Sequence, residues 1–197
     1  AVLHARDGVL ALSMQGLNVA YPSVLTGFDY ARFFIDALEY QDTIHGSAGA
    51  DWLNGFADND RIWGGAGHDT IEGSAGNDTI DGGDGNDTIG AADQADDAAD
   101  SLMGGEGDDR IVLGAGDFAD GGEDRDDYLV HTSYPDSTIA YSPEDRVVIQ
   151  YEGPAEAPPR IELVQDGDNV RVMADGDLVT TLRDTLVRDV SYQLQAQ

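Results

Sequence analysis

The chain has 197 residues, no Cys, and 39 acidic against 10 basic side chains, for a formal net charge of −29. Such a surface repels phosphate backbones and anionic membranes, which argues against nucleic-acid partners and membrane insertion, and without Cys neither a disulfide framework nor a thiolate zinc site can form. Intrinsic disorder does not fit either, because a hydrophobic fraction of 41% with eight Tyr, five Phe and two Trp suffices for a core. No apolar run approaches the roughly 18 residues of a spanning helix. Residues 1–6 lack the apolar region of a signal peptide, and a start at Ala1 rather than Met points to a processed chain or an excerpt of a longer one.

Residues 1–36 form a flank of mixed composition. Short strands are expected at 9–12 and 24–25, and 28–35 reads as a helical turn or an apolar edge, with Phe33, Phe34 and Ile35 placed to cap the near end of residues 37–130.

Residues 37–130 carry a nonapeptide repeat. Five blocks run without a gap from Gly46, with Gly at the first place, Gly or Asp at the fourth, Asp at the sixth and Leu or Ile at the eighth. They contain Gly46, Gly49, Asp51 and Leu53; Gly55, Asp58, Asp60 and Ile62; Gly64, Gly67, Asp69 and Ile71; Gly73, Gly76, Asp78 and Ile80; and Gly82, Gly85, Asp87 and Ile89. One block with a four-residue insertion in its turn leads to Asp100 and Leu102, and the phase resumes with Gly104, Gly107, Asp109 and Ile111. Asp42 and Ile44 fall in the same phase without the glycines, and 113–121 is degenerate, with Phe118 where Asp is expected. Each block reads as a six-residue turn followed by a three-residue strand. One aliphatic side chain per nine residues makes a core only if coils stack, two blocks to a coil, with each aliphatic over its counterpart.

Stacking also sets carboxylate over carboxylate. Asp51 falls in line with Asp69, Asp87 and Asp109 on one side, and Asp60 with Asp78 and Asp100 on the other, provided the insertion does not exchange the sides. Such columns repel unless a cation lies between the turns, and Ca2+, with six to eight oxygen ligands in loose geometry, suits them better than Mg2+.

The pattern Gly-Gly-x-Gly-x-Asp-x-(large apolar)-x resembles the RTX, or haemolysin-type, calcium-binding nonapeptide. The resemblance implies an all-β fold, a parallel β-roll holding several Ca2+ ions, in a protein exported by type I secretion to the cell exterior. It also implies ligands. The sixth-place carboxylates would be Asp51, Asp60, Asp69, Asp78, Asp87, Asp100 and Asp109, joined by turn carbonyls around Gly46, Gly49, Gly55, Gly64, Gly67, Gly73, Gly76, Gly82, Gly85, Gly104 and Gly107. Asp58 in place of a fourth-place Gly, the glycine-free block before Asp100, and Phe118 depart from the pattern.

Residues 131–197 are poorer in glycine and alternate in hydropathy. Strands are expected at 137–141, 146–151, 160–165, 169–174 and 178–182, with turns at 166–168 and 175–177 and a stiff loop at 152–159. They are expected to form a C-terminal antiparallel β capping region, because the last coil of a roll exposes an apolar cross-section. The tail around 189–194 has the acid-then-apolar character of an uncleaved type I secretion signal.

Competing readings explain less. Solvated surface loops leave the ninefold phase unexplained. A salt-adapted surface predicts scattered acids, whereas 37–130 holds 24 acids and 3 Arg against 15 and 7 elsewhere. Thr70, Thr79 and Thr88 read as an outward strand ladder rather than an ice-binding face. His4, His45, His68 and His131 show no metal spacing along the sequence, and no nucleophile elbow surrounds a Ser. Trp52 and Trp63 read either as exposed on opposite sides of the roll or as packing residues, in preference to a sugar platform. The chain is therefore expected to be a calcium-binding module and not an enzyme: a Ca2+-dependent folding module of a secreted protein. The alternative is a self-associating adhesin, biofilm or S-layer protein, with a fragment of a secreted carbohydrate-active enzyme less favoured.

Overall fold

The computed structural model describes residues 2–6, 9–13, 41–90 and 98–197. The expectations for 24–25 and 28–35, including the Phe33–Ile35 cap, lie outside the described residues.

At the N-terminal end β1 (Val2–Arg6) and β2 (Val9–Ser13) form an antiparallel pair. The repeat supplies β3 (Thr43–His45), β4 (Trp52–Asn54), β5 (Arg61–Ala66), β6 (Thr70–Glu72), β7 (Thr79–Asp84), β8 (Thr88–Gly90), β9 (Ser101–Glu106) and β10 (Arg110–Val112). The chain continues through β11 (Phe118–Glu123), β12 (Asp127–His131), β13 (Ser137–Ala140) and β14 (Arg146–Tyr151). It ends with β15 (Ile161–Asp166), β16 (Asn169–Ala174), β17 (Asp177–Arg183), a short 3-10 turn at Val187–Asp189, and β18 (Tyr192–Ala196).

Successive repeat strands alternate between two sheets. Sheet 1 runs β15-β16-β17-β13-β11-β9-β7-β5-β3-β1-β2, and sheet 2 runs β18-β14-β12-β10-β8-β6-β4. Within the repeat every pairing is parallel and in phase: Ile44 beside Ile62, Ile80 and Leu102 in sheet 1, and Leu53 beside Ile71, Ile89 and Ile111 in sheet 2. All eight are buried. They form one continuous seam between the sheets, and no single coil could bury its share of that seam alone.

The seam continues past the repeat. Ala119 and Ile139 extend it in sheet 1, and Tyr128 and Val147 in sheet 2.

The C-terminal region differs in part from the expected meander. β15, β16 and β17 do pair antiparallel. By contrast, β13 and β17 pair in parallel in sheet 1, and β12, β14 and β18 in parallel in sheet 2, so the roll carries on beside the antiparallel strands. Period-two alternation marks a strand without marking its direction, which is why the sequence left this open. Ile161 and Leu163 of β15 and Leu194 of β18 pack on the core and cover its end.

Candidate metal centre

The sixth-place aspartates form two columns, one at each rim of the roll. On one, the Asp51 N–H donates to Asp69 Oδ1 at 2.8 Å, the Asp69 N–H to Asp87 Oδ1 at 2.7 Å, and the Asp87 N–H to Asp109 Oδ1 at 2.7 Å. On the other, the Asp60 N–H donates to Asp78 Oδ1 at 2.7 Å and the Asp78 N–H to Asp100 Oδ1 at 2.8 Å. The coil is 18 residues long and becomes 22 across the insertion, so the sides are not exchanged.

Both columns are longer than the sequence motif. The Asp42 N–H donates to Asp60 Oδ1, the Asp100 N–H to Asp117 Oδ1, the Asp109 N–H to Asp126 Oδ1 and the Asp126 N–H to Asp145 Oδ1. Phe118 therefore does not mark a lost carboxylate. The coil there is 17 residues long, Asp117 takes the ladder position, and Phe118 pairs with Ser101 as the first strand residue. Asp42 was visible in phase, whereas spacings of 17 and 19 hid Asp117, Asp126 and Asp145.

The second carboxylate oxygens divide the columns. Oδ2 of Asp60, Asp69, Asp87, Asp109 and Asp126 is buried and has no hydrogen-bond partner. At three of the four column ends the chain's own turns satisfy this oxygen. Asp51 Oδ2 accepts from the Ser47 N–H at 2.6 Å and from its hydroxyl at 2.8 Å, Asp117 Oδ2 from the Gly114 N–H at 2.6 Å, and Asp145 Oδ2 from the Ser142 N–H at 2.8 Å. A buried bare carboxylate oxygen costs free energy that native folds rarely leave uncompensated.

Each bare oxygen faces the glycine that opens its own turn. A β-carbon on Gly64 would overlap Asp69 Oδ2 and the Gly82 carbonyl oxygen, and one on Gly82 would overlap Asp87 Oδ2 and the Gly104 carbonyl oxygen. Gly55 with Asp60 and Gly104 with Asp109 repeat the arrangement, and Gly73 abuts Asp78. Carboxylate and carbonyl oxygens from successive coils thus converge where only glycine leaves room. The fourth-place glycines serve close coil approach: Gly85 has φ of +122° and any side chain there would run into the Gly67 carbonyl. Gly49, at the first coil, meets only Ser47 Oγ at 3.9 Å and is under no such constraint, and Asp58 adopts the left-handed φ of +70° in place of glycine.

Burial pushes the carboxyls of Asp60, Asp109 and Asp126 up to about 7, with neighbouring carboxylates adding to the rise and the accepted N–H opposing it. Asp69, Asp87 and Asp145 shift upward for the same leading reason. No three carboxylate or imidazole side chains converge among the described residues. The donors brought together at Gly55, Gly64, Gly82 and Gly104 are a carboxylate oxygen and a backbone carbonyl of the next coil, all oxygen, which fits a hard cation of flexible coordination such as Ca2+. There it would supply charge neutralisation and cross-linking between coils.

A second ladder went unnoticed in the sequence. Fifth-place side chains accept the fifth-place N–H one coil on: Asn59 from Asn77, Asn77 from Ala99, His68 Nδ1 from Asn86, each at 2.8 Å, and Asp108 from Arg125 at 3.1 Å. Their signal was an Asn, His or Asp before the sixth-place Asp. Trp52 is 75% exposed, while Trp63 stacks on His45.

The model for the RTX calcium-binding nonapeptide repeat (4 copies) matches residues 36–71, 63–98 and 94–128. Among solved structures, the extracellular lipase LipA from Serratia marcescens is similar at 16% identity and a TM-score of 0.32, over 77% of this chain and 39% of the lipase. The AlgE6R3 subunit of the Azotobacter vinelandii mannuronan C5-epimerase is similar at 20% identity and a TM-score of 0.23, over 74% of this chain and 79% of the subunit. This chain thus spans well under half of the lipase. No curated protein matches. The family match over residues 36–128 and the parallel ladders agree: the described strands β3 to β10 are wound as a β-roll, and the stretch is similar to RTX calcium-binding nonapeptide repeats.

Proposed function

We propose that the chain is a calcium-dependent folding module of a secreted protein, disordered over its repeats where calcium is scarce and folded outside the cell where it is abundant. The observation that carries this reading is the set of buried, unpartnered Oδ2 atoms of Asp60, Asp69, Asp87, Asp109 and Asp126, each aimed at a glycine-lined turn. Ligand that binds only the folded form adds its binding free energy to stability, so closing these turns and folding the repeat become one event. Asp51, Asp117 and Asp145, already satisfied by their own turns, hold calcium less strongly than the five between them. The test is calcium titrated into chelator-treated protein and followed by far-UV circular dichroism, with magnesium as control. A cooperative gain of strand signal with calcium alone is expected. A spectrum already complete in chelator and indifferent to calcium would sink the reading.

Self-association as a surface protein is the second reading. It is favoured by β18, which pairs only with β14 among the described strands and so presents an open edge. Sedimentation in saturating calcium separates the two: a concentration-independent monomer removes the second reading and leaves the first.

A further inference from the structure

We propose that the Asn54–Gly55 peptide is a site of spontaneous covalent modification, held closed by the folded first coil and opened when calcium is withdrawn. Of the six Asn in the chain, Asn54 alone precedes Gly. The reaction needs only water. The Gly55 backbone nitrogen attacks Asn54 Cγ, its proton passes to the departing side-chain nitrogen, and ammonia leaves as a five-membered succinimide closes. Water then opens one of the two ring carbonyls. Opening at the main-chain carbonyl leaves isoaspartate, with the chain running through the β-carbon, and opening at Cγ leaves aspartate. Glycine favours the attack because it has no β-carbon to crowd the nitrogen and reaches backbone angles closed to other residues.

Winding the coil disarms both partners. Asn54 ends β4 beside Glu72 of β6, and the Gly55 N–H donates to the Glu72 carbonyl at 2.9 Å. A nitrogen committed to the ladder keeps its proton and lies in the plane of the sheet, whereas the Asn54 side chain stands out of that plane. The side chain is held as well. Its Nδ2 donates to Glu72 Oε2 at 3.0 Å, and its Oδ1 accepts from the Phe56 N–H at 2.8 Å and from Ser74 Oγ at 3.0 Å. Attack therefore requires β4 to part from β6, its one partner among the described strands.

The product strikes the turn that carries the next carboxylate. Asn54 Oδ1 closes a local turn over Phe56, whose φ of +73° is left-handed in an aromatic residue. Glycine takes that place at Gly65, Gly83 and Gly105, with φ of +107°, +101° and +118°. Isoaspartate inserts an extra backbone atom directly before Gly55, where Asp60 Oδ2 and the Gly73 carbonyl leave no room even for a β-carbon. It also sets a carboxylate against Glu72 in place of a donor. Closure of the coil at Asp60 is lost once the product forms, so a chain kept without calcium carries a permanent record of it.

This inference rests on the calcium-dependent folding proposed above, and one experiment separates the two. The full chain is aged at mildly alkaline pH in saturating calcium and in chelator. Peptide mapping by mass spectrometry reads Asn54, Asn59, Asn77 and Asn86 separately, and far-UV circular dichroism of the same samples reads the fold. Asn54 is expected to convert ahead of the other three, and at least roughly tenfold faster in chelator, because modification of the folded chain must pass through local opening. Chelator-aged protein is expected to regain less strand signal when calcium is restored, whereas Asn54→Gln aged alongside regains what it had before. Should Asn54→Gln fail to fold in calcium, the conversion rates of the unaltered chain still decide. Equal rates with the strand signal lost in chelator overturn this inference alone, and equal rates with the signal intact overturn both. A faster rate with the signal intact sinks the folding reading and leaves the site standing. Conversion of Asn59, Asn77 or Asn86 ahead of Asn54, or full recovery of a converted chain, also overturns the inference.

Discussion

The coils up to β10 and the coils from β11 onward share one apolar seam and one parallel register, yet they satisfy the polar atoms of their turns by different means. In the first region Asp60, Asp69, Asp87 and Asp109 leave an oxygen bare beside a glycine. In the second, Asp126 alone among the described ladder carboxylates keeps a bare oxygen, beside Gly121, while turn N–H groups satisfy Asp117 and Asp145 and tyrosine hydroxyls bond to backbone groups. Tyr128 Oη accepts the Gly121 N–H at 2.6 Å and donates to the Ala140 carbonyl at 3.3 Å, entering the ladder between β11 and β13. Tyr141 Oη donates to the Asp145 carbonyl at 2.8 Å and accepts the Ser191 N–H at 2.8 Å. An Arg146–Asp127 ion pair and the antiparallel β15–β17 strands add to that end. A stacked coil can thus be closed from within by side-chain hydrogen bonds, or left to a cation that bridges it to the next.

Removing calcium breaks this comparison most directly. In chelator at neutral pH, amide hydrogen exchange is expected to lose protection across β4 to β10 while β12, β14 and β17 keep at least partial protection. Equal loss in both regions would show that the C-terminal coils have no stability of their own. Acid is expected to replace part of what calcium supplies. The carboxyls of Asp60, Asp109 and Asp126 are pushed up to about 7 in the fold, against about 3.9 in an unfolded chain. Between those values the folded form holds protons that the unfolded chain has released. Stability in chelator therefore rises as pH falls from about 7 toward about 4, and is lost as pH rises through about 7. With calcium present the sign reverses, because protons compete for the same oxygens. Circular dichroism against pH, with and without chelator, reads both slopes.

The repeat was legible because its chemistry is periodic: turn, sixth-place carboxylate and eighth-place aliphatic each recur every nine residues, and coil stacking follows from burying the aliphatics. The pairings Asp51–Asp69 and Asp60–Asp78 follow from the same period. Asp117, Asp126 and Asp145 escaped because a coil can shorten or lengthen by one residue in its turn while strand register is kept. The direction of β13, β14 and β18 escaped because alternation is the same in parallel and antiparallel strands. The satisfied carboxylates at Asp117 and Asp145 could not be told from the bare ones in sequence, since Gly114 and Ser142 act through backbone N–H groups that every residue but proline carries; only Ser47 adds a side-chain hydroxyl.

Single substitutions sharpen the comparison at smaller scale. Ile80→Ala, in the middle of the seam, is expected to cost about 2–5 kcal/mol in saturating calcium, measured by thermal or denaturant unfolding, and to raise the calcium midpoint. Ile139→Ala, equally buried in the second region, is expected to cost about as much while moving the calcium midpoint less. Tyr128→Phe removes the hydroxyl that joins Gly121 to Ala140 and is expected to cost about 1–3 kcal/mol. If it lowers calcium affinity by as much as Ile80→Ala does, the two regions are not separately held.

The smallest effect belongs to the fifth-place ladder, which ties repeat coils together without a cation. Asn77 Oδ1 accepts the Ala99 N–H at 2.8 Å at an exposed site. Asn77→Ala returns that N–H to water rather than burying it unpaired, so the cost should fall near the low end of about 0.5–1.5 kcal/mol. The Asp78 carboxylate next in sequence is untouched, so the number of calcium ions bound should not change. The loss should appear as a lower unfolding temperature of the calcium-loaded protein, with the ion count from equilibrium dialysis held constant. A loss of one bound ion would mean that the fifth-place ladder and the calcium turns act as a single unit, and that the repeat coils have no cohesion apart from the cation.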